Sequence, residues 1–116
     1  MKKTERAFFP LCTTELFLLS QVMKIDTSTG DVISWKDPGH FVSEPIFVPR
    51  PGSTEEDDGV LVLTMLTPAA LNSVQLVVLD AVSMEEVGRV AFRGHGTVTQ
   101  GFHGIFVRED EEFHRY

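Results

Sequence analysis

Lys24-Ile25-Asp26-Thr27-Ser28-Thr29-Gly30-Asp31-Val32-Ile33 and, 54 positions on, Val78-Leu79-Asp80-Ala81-Val82-Ser83-Met84-Glu85-Glu86-Val87 share one pattern, with one residue inserted in the second. Each is an apolar run ending in Asp, a short turn, an acid, and then Val opening the next run. Short side-chain acceptors can bond the backbone just ahead of them, so each stretch reads as strand, turn, strand. The spacing is close to that of β-propeller blades, which repeat every ~40–50 residues. Blades are four-stranded sheets stacked radially. About two blades' worth of sequence fits here, and two blades cannot close a ring. Two similar hairpins arising by chance are the competing explanation.

Outward from these stretches the chain keeps the same character. Leu, Ile, Val and Phe supply 37 of the 116 residues, enough to build a core. Ala occurs only five times, whereas Val, Ile and Thr total 28, a balance that favours strands over helices. Residues 16–36 read as a hairpin around the turn 26–31. Residues 37–39 are another turn, and 45–50 a short extended piece that Pro49 and Pro51 bar from the middle of a ladder. Residues 59–67, nearly all apolar, read as a strand covered on both faces. Further strands are expected at 76–79, 87–93 and 102–107. Residues 1–15 show no clear period. The acidic stretch 55–58 and the tail from 109 read as solvated.

The net charge is −7, with 17 acids against 10 bases, and no basic stripe for a phosphate backbone, so nucleic acid is not an expected partner. The single cysteine, Cys12, can form neither an internal disulfide nor a thiolate metal site unaided. No apolar run reaches the ~18 residues of a membrane span. Met1-Lys2-Lys3 imitates the start of a signal peptide, but Glu5, Pro10 and Glu15 interrupt the apolar stretch after it.

Two residues stand out as carriers of chemistry. His103 lies in Gly101-Phe102-His103-Gly104-Ile105-Phe106, between small and aromatic residues. Small neighbours allow close approach by a backbone or a cofactor. A partly buried imidazole there favours its neutral, metal-binding form. Glu44, in Ser43-Glu44-Pro45-Ile46-Phe47-Val48, puts one carboxylate ahead of an apolar run, where it could accept the spare N–H of a ligand histidine. From the residues alone, a satisfied core histidine and an exposed loop acid are the favoured descriptions. His40, His95 and His114 have no helical metal-site spacing, and the acids at 55–58 lack the alternation of a calcium loop.

Taken in order, Ser43 to Pro51, Glu55 to Leu61, Leu79-Asp80-Ala81, Glu86 to Arg89 and Gly101 to Phe106 resemble the C-terminal end of the carotenoid cleavage oxygenases. The likeness is to the animal branch: β-carotene oxygenases, carotenoid isomerooxygenase and the retinal pigment epithelium isomerohydrolase. It runs from about Met23 to Val107. The resemblance implies an all-β fold, the last one to two blades of a seven-bladed propeller, over residues 21–108. Residues 1–20 are unassigned and read as irregular, and 109–116 are a charged tail. The resemblance also implies an Fe(II) cofactor held by four histidines, of which His103 would be the last. Glu44 would be one of three acids behind those ligands. The remaining ligands and acids have no counterpart here. An all-imidazole site leaves iron cationic, with positions open to dioxygen.

The implied activity is oxidative cleavage of a polyene C=C bond to aldehyde products, with a carotenoid or apocarotenoid and O2 as substrates. No obligate protein partner is inferred, and peripheral membrane association of a full-length protein is consistent with the family. Two alternatives are a catalytically inactive fragment that binds a lipid or partner, and a retinoid isomerohydrolase-like member of the same family. Localisation reads as cytoplasmic, with a mitochondrial site left open. Two departures from the family's usual pattern are the absence of Pro in Thr97 to Gln100 and Phe41-Val42 where an aromatic-Pro pair often precedes the SEP motif.

Overall fold

Strand after strand is the outcome of the β-branched composition. A computed structural model describes residues 6–12, 19–99 and 104–109, and among these there is no helix. One antiparallel sheet contains β1 (Arg6–Cys12), β2 (Leu19–Asp26) and β3 (Val32–Lys36) in sequence order. A second contains β4 (Phe41–Val42), β5 (Ile46–Pro49), β6 (Gly59–Thr67), β7 (Ala70–Asp80) and β8 (Glu86–Arg93). There β4 and β5 share one edge of β6, and β7 and β8 lie in turn on its other side. The second sheet is thus four strands deep, the format of a propeller blade.

The core forms where β2 and β4 meet and continues along the buried face of the second sheet. Val22, Val42, Leu61, Leu63, Met65, Val77 and Leu79 are all but inaccessible, and Ala81 and Met84 extend the cluster into the turn after β7. The alternation of Leu61, Leu63 and Met65 is the two-residue period of a strand with one face in the core. Intervening Val60, Val62, Thr64 and Leu66 are half-buried, so β6 is covered on both faces, as its apolar run predicts. Burying each large aliphatic side chain contributes about 1.5–3 kcal/mol. Phe8, Trp35 and Phe47 pack at the margin, with the Phe8 and Phe47 rings stacked 6.2 Å apart.

Several expectations are corrected. Residues 6–12, expected to be irregular, pair with β2 from Arg6↔Asp26 to Cys12↔Leu19. The expected strand 76–79 is the end of an eleven-residue strand that begins at Ala70. Of the expected strand 102–107, residues 104–107 join no ladder, and 102 and 103 lie outside the described residues. An apolar run becomes a strand only where a neighbour offers paired N–H and C=O groups.

The acids at 55–58 are not a solvated turn throughout. Glu55 is exposed, but Glu56, Asp57 and Asp58 are half-buried and engage cations. Asp57 Oδ2 lies 3.0 Å from Lys24 Nζ and 3.6 Å from Arg6 Nε, Glu56 Oε1 lies 3.5 Å from Arg6 Nη1, and Asp58 Oδ1 lies 3.0 Å from Arg50 Nε.

Candidate functional site

Glu44 stands at a break in the ladder. Phe41↔Leu66 and Val42↔Met65 set one register between β4 and β6, and Ile46↔Val62 and Phe47↔Leu61 set another, one residue out of step. The edge strand therefore bulges over residues 43–45. Directly opposed residues share a sheet face. Val42 opposite buried Met65 and Phe47 opposite buried Leu61 thus face the same side although they are an odd number of positions apart. Only an extra residue makes that possible.

The three residues at the bulge have separate tasks. Ser43 N donates to Thr64 O at 2.8 Å, and Thr64 N donates to Ser43 Oγ at 2.8 Å. The hydroxyl occupies the acceptor position that a strand carbonyl would hold. Pro45 has no N–H to leave orphaned, and it biases Glu44 towards extended backbone. Glu44 lies between them, half-buried, at the rim of an open groove of about 460 Å³.

The groove's other wall is the run just after His103. Gly104, Ile105, Phe106 and Arg108 face Glu44, Pro45, Ile46, Phe47 and Pro49 across it. Gly104 is pressed so closely to β5 that an added Cβ would lie 2.6 Å from Ile46 Cδ1. A larger residue there would require the end of the Ile46 side chain to shift. The structure therefore brings Glu44 and the residues immediately after His103 to one groove, although they are some 60 positions apart in sequence. His103 itself lies outside the described residues. His40 sits in the turn after β3, its Nδ1 3.4 Å from Asp37 Oδ1 and 3.1 Å from Pro38 O, and His95 is exposed. Neither lines this groove.

Among the described residues no group of three or more His, Cys, Asp or Glu side chains could hold a metal ion. The donor set available at the groove is a carboxylate, with one imidazole next in sequence to its far wall. That fits one ligand and its hydrogen-bond acceptor, not a complete metal site. Among the described residues no helix is long and apolar enough to cross a membrane.

Sequence reasoning missed two supporting residues. One is Ser43. The other is Lys24, buried to 7% exposure, whose ammonium donates to Ala81 O (2.8 Å), Val82 O (2.9 Å) and Asp57 Oδ2 (3.0 Å). All three donors of the ammonium are thereby satisfied, and the first sheet is tied to the turn after β7. The signal for Lys24 is its place two positions after Val22, on the same strand face.

An acid on the edge strand of a blade-like sheet defines a class before it defines a protein, and comparison with known proteins supplies the rest. Residues 1–108 match the retinal pigment epithelial membrane protein family, and the chain belongs to that family. The match includes the first 20 residues, which carry none of the motifs that mark the resemblance. The chain is 37% identical over 100 residues to the mitochondrial carotenoid-cleaving dioxygenase of Mustela putorius furo, covering 86% of this chain and 18% of that protein. It is 40% identical over 89 residues to the carotenoid isomerooxygenase of Galleria mellonella, covering 74% of this chain and 17% of that protein.

Among solved structures, a variant of the Synechocystis apocarotenoid oxygenase superposes with a TM-score of 0.70 at 28% identity, over 81% of this chain and 20% of that one. A cobalt-substituted form of the same oxygenase gives 0.64 at 28% identity, over 86% and 23%. The fold is all-β and corresponds to part of that seven-bladed propeller. The chain spans about a fifth of the length of the relatives it matches.

Proposed function

We propose that the chain is a C-terminal segment of a non-haem Fe(II) carotenoid dioxygenase. The observation that carries this reading is the groove shared by Glu44 and the run from Gly104 to Arg108. In this reading His103 offers a neutral imidazole nitrogen as one of four iron ligands. Glu44 accepts the spare N–H of a ligand imidazole, fixing its tautomer and ring orientation. Bound Fe(II) would supply activation of dioxygen for cleavage of one polyene C=C bond into two carbonyl groups. Ile46 and Phe106 line the groove, whose surface is otherwise mainly polar, so the apolar path for a carotenoid or apocarotenoid is expected from the rest of the full-length protein. The full-length protein would meet such substrates at a membrane surface. Cytosol is the default compartment to test, and the mitochondrial name of one relative makes mitochondria the second.

The test uses a full-length protein that carries this segment, with iron content and product masses as readouts. His103→Ala is expected to abolish both iron binding and cleavage. Glu44→Gln is expected to weaken both on the order of 10–100-fold. Wild-type iron content and turnover in either variant would refute the assignment of that residue. The isolated 116-residue chain, with one ligand of the set, is expected to hold no stoichiometric iron.

A further inference from the structure

We infer that Ser43 is a positioning residue for Glu44, acting by standing in for the backbone at the bulge; this rests on the proposed role of Glu44. The rung between residues 43 and 64 is closed by the backbone on one side and by a side chain on the other: Ser43 N to Thr64 O at 2.8 Å, and Thr64 N to Ser43 Oγ at 2.8 Å. In an unbroken antiparallel pair the carbonyl of residue 43 would take that amide. With the hydroxyl in its place, the carbonyl is released from the ladder and the chain can turn out of register at Glu44 while the half-buried Thr64 N–H keeps a partner. The same hydroxyl lies 3.4 Å from the carbonyl oxygen of Glu44, so it touches both sides of the departure.

An alanine here leaves a choice between two poor states. Either Thr64 N–H is orphaned, or the carbonyl of residue 43 returns to the ladder and closes the bulge. Closing it moves Glu44 away from its place on the groove, because a one-residue change of register turns a side chain to the other face. Ser43 is thus coupled to the metal site only through Glu44.

The test is a double-mutant cycle on the full-length protein that carries this segment. Its readouts are Fe(II) affinity, by competition with a chromophoric chelator, and amide hydrogen exchange at Thr64. Ser43→Ala is expected to weaken iron about tenfold, to speed exchange at Thr64, and to have no further effect on iron affinity in a Glu44→Gln background. Ser43→Thr keeps the hydroxyl and is expected to retain the affinity of the unmodified protein. If the alanine variant does not fold, Ser43→Cys, of similar size and with a weaker acceptor, is expected to show the same loss to a smaller degree. Should Glu44→Gln weaken iron while Ser43→Ala leaves it unchanged, or adds its whole effect on top, the role of Ser43 is overturned and that of Glu44 stands. Unchanged iron affinity in Glu44→Gln overturns both.

Discussion

The turn joining β2 to β3 and the turn joining β7 to β8 share one set of hydrogen bonds, to which the first adds Ser28 Oγ donating to Asp26 Oδ1 at 2.7 Å. Asp26 Oδ1 accepts from Ser28 N at 3.0 Å and Thr29 N at 3.4 Å, and Asp80 Oδ1 accepts from Val82 N at 2.8 Å and Ser83 N at 3.1 Å. Gly30 N donates to Asp26 O and Met84 N to Asp80 O, both at 2.8 Å. The strand-closing bonds, Asp26 N to Asp31 O and Asp80 N to Glu85 O, are 2.9 and 2.8 Å. Thr29 Oγ1 and Ser83 Oγ each accept from the backbone N–H two positions on, of Asp31 and Glu85, at 3.2 Å.

The difference is in what surrounds them. The first turn is exposed from Thr27 to Asp31 and uses Gly30 for its left-handed position, φ 79°. The second puts Met84 there, φ 64°, with its side chain buried to 3% exposure beside buried Ala81. A non-glycine residue in that conformation costs about 1–2 kcal/mol, and burying its side chain contributes about 1.5–3 kcal/mol. The Ala81 and Val82 carbonyls also take the Lys24 ammonium. One local hydrogen-bond pattern thus serves as a surface hairpin in one sheet and as part of the core in the other, and contacts with the neighbouring sheet decide which.

Breaking the link between the two regions should have the largest effect. Lys24→Ala leaves two carbonyls without their donor and Asp57 with Arg6 alone, and is expected to cost about 3 kcal/mol of unfolding free energy in denaturant titration. Next comes the buried turn. Met84→Ala keeps the strained backbone and loses the packing, a loss of about 2 kcal/mol or more. Met84→Gly should be milder than Met84→Ala by about 1 kcal/mol, although it removes more atoms, because it also removes the strain. If the two variants are equally stable, φ strain is not what separates the turns.

In the exposed turn, nothing lies within 4 Å of a Cβ built on Gly30, so Gly30→Ala tests backbone strain alone, with an expected cost of about 1 kcal/mol. The smallest effect is that of pH. The Ser28 hydroxyl and amide hold the Asp26 carboxyl below its usual range, and the Ser83 and Val82 amides do the same for Asp80. A depressed carboxyl contributes fully above its unfolded pKa, about 3.9, and the contribution is lost as pH falls through the folded value. Stability should therefore drop below about pH 4, and less steeply in the Asp26→Asn, Asp80→Asn double variant. A double variant with an unchanged pH profile would show that these carboxyls do not stabilise the turns.

Much of this architecture is legible in the residues, because strand and turn chemistry is local. The apolar run 59–67 is β6, and the Asp-led turns lie where their acceptors place them. What depends on partners is not legible. Residues 6–12 carry Pro10 and no alternation, yet β2 offers them an edge. Residues 104–107 have strand-forming side chains and no neighbour to pair with among the described residues. At the site, Glu44 could be singled out because an acid before an apolar run is unusual. Ser43 could not, since its role depends on Thr64, 21 positions away.

The inserted residue of the second repeat has a resting place. Ile25↔Val32 and Lys24↔Ile33 run on without a break, whereas Leu79↔Glu86 gives way to Val78↔Gly88, leaving Val87 unpaired as a bulge. Every residue inside the turn gives or accepts a bond that fixes the loop, and the first rung beyond it absorbs a change of length. Seen as a genetic text, this hairpin is expected to accept an added codon just downstream of its turn more readily than within it. A single-codon insertion scan should find its permissive sites there.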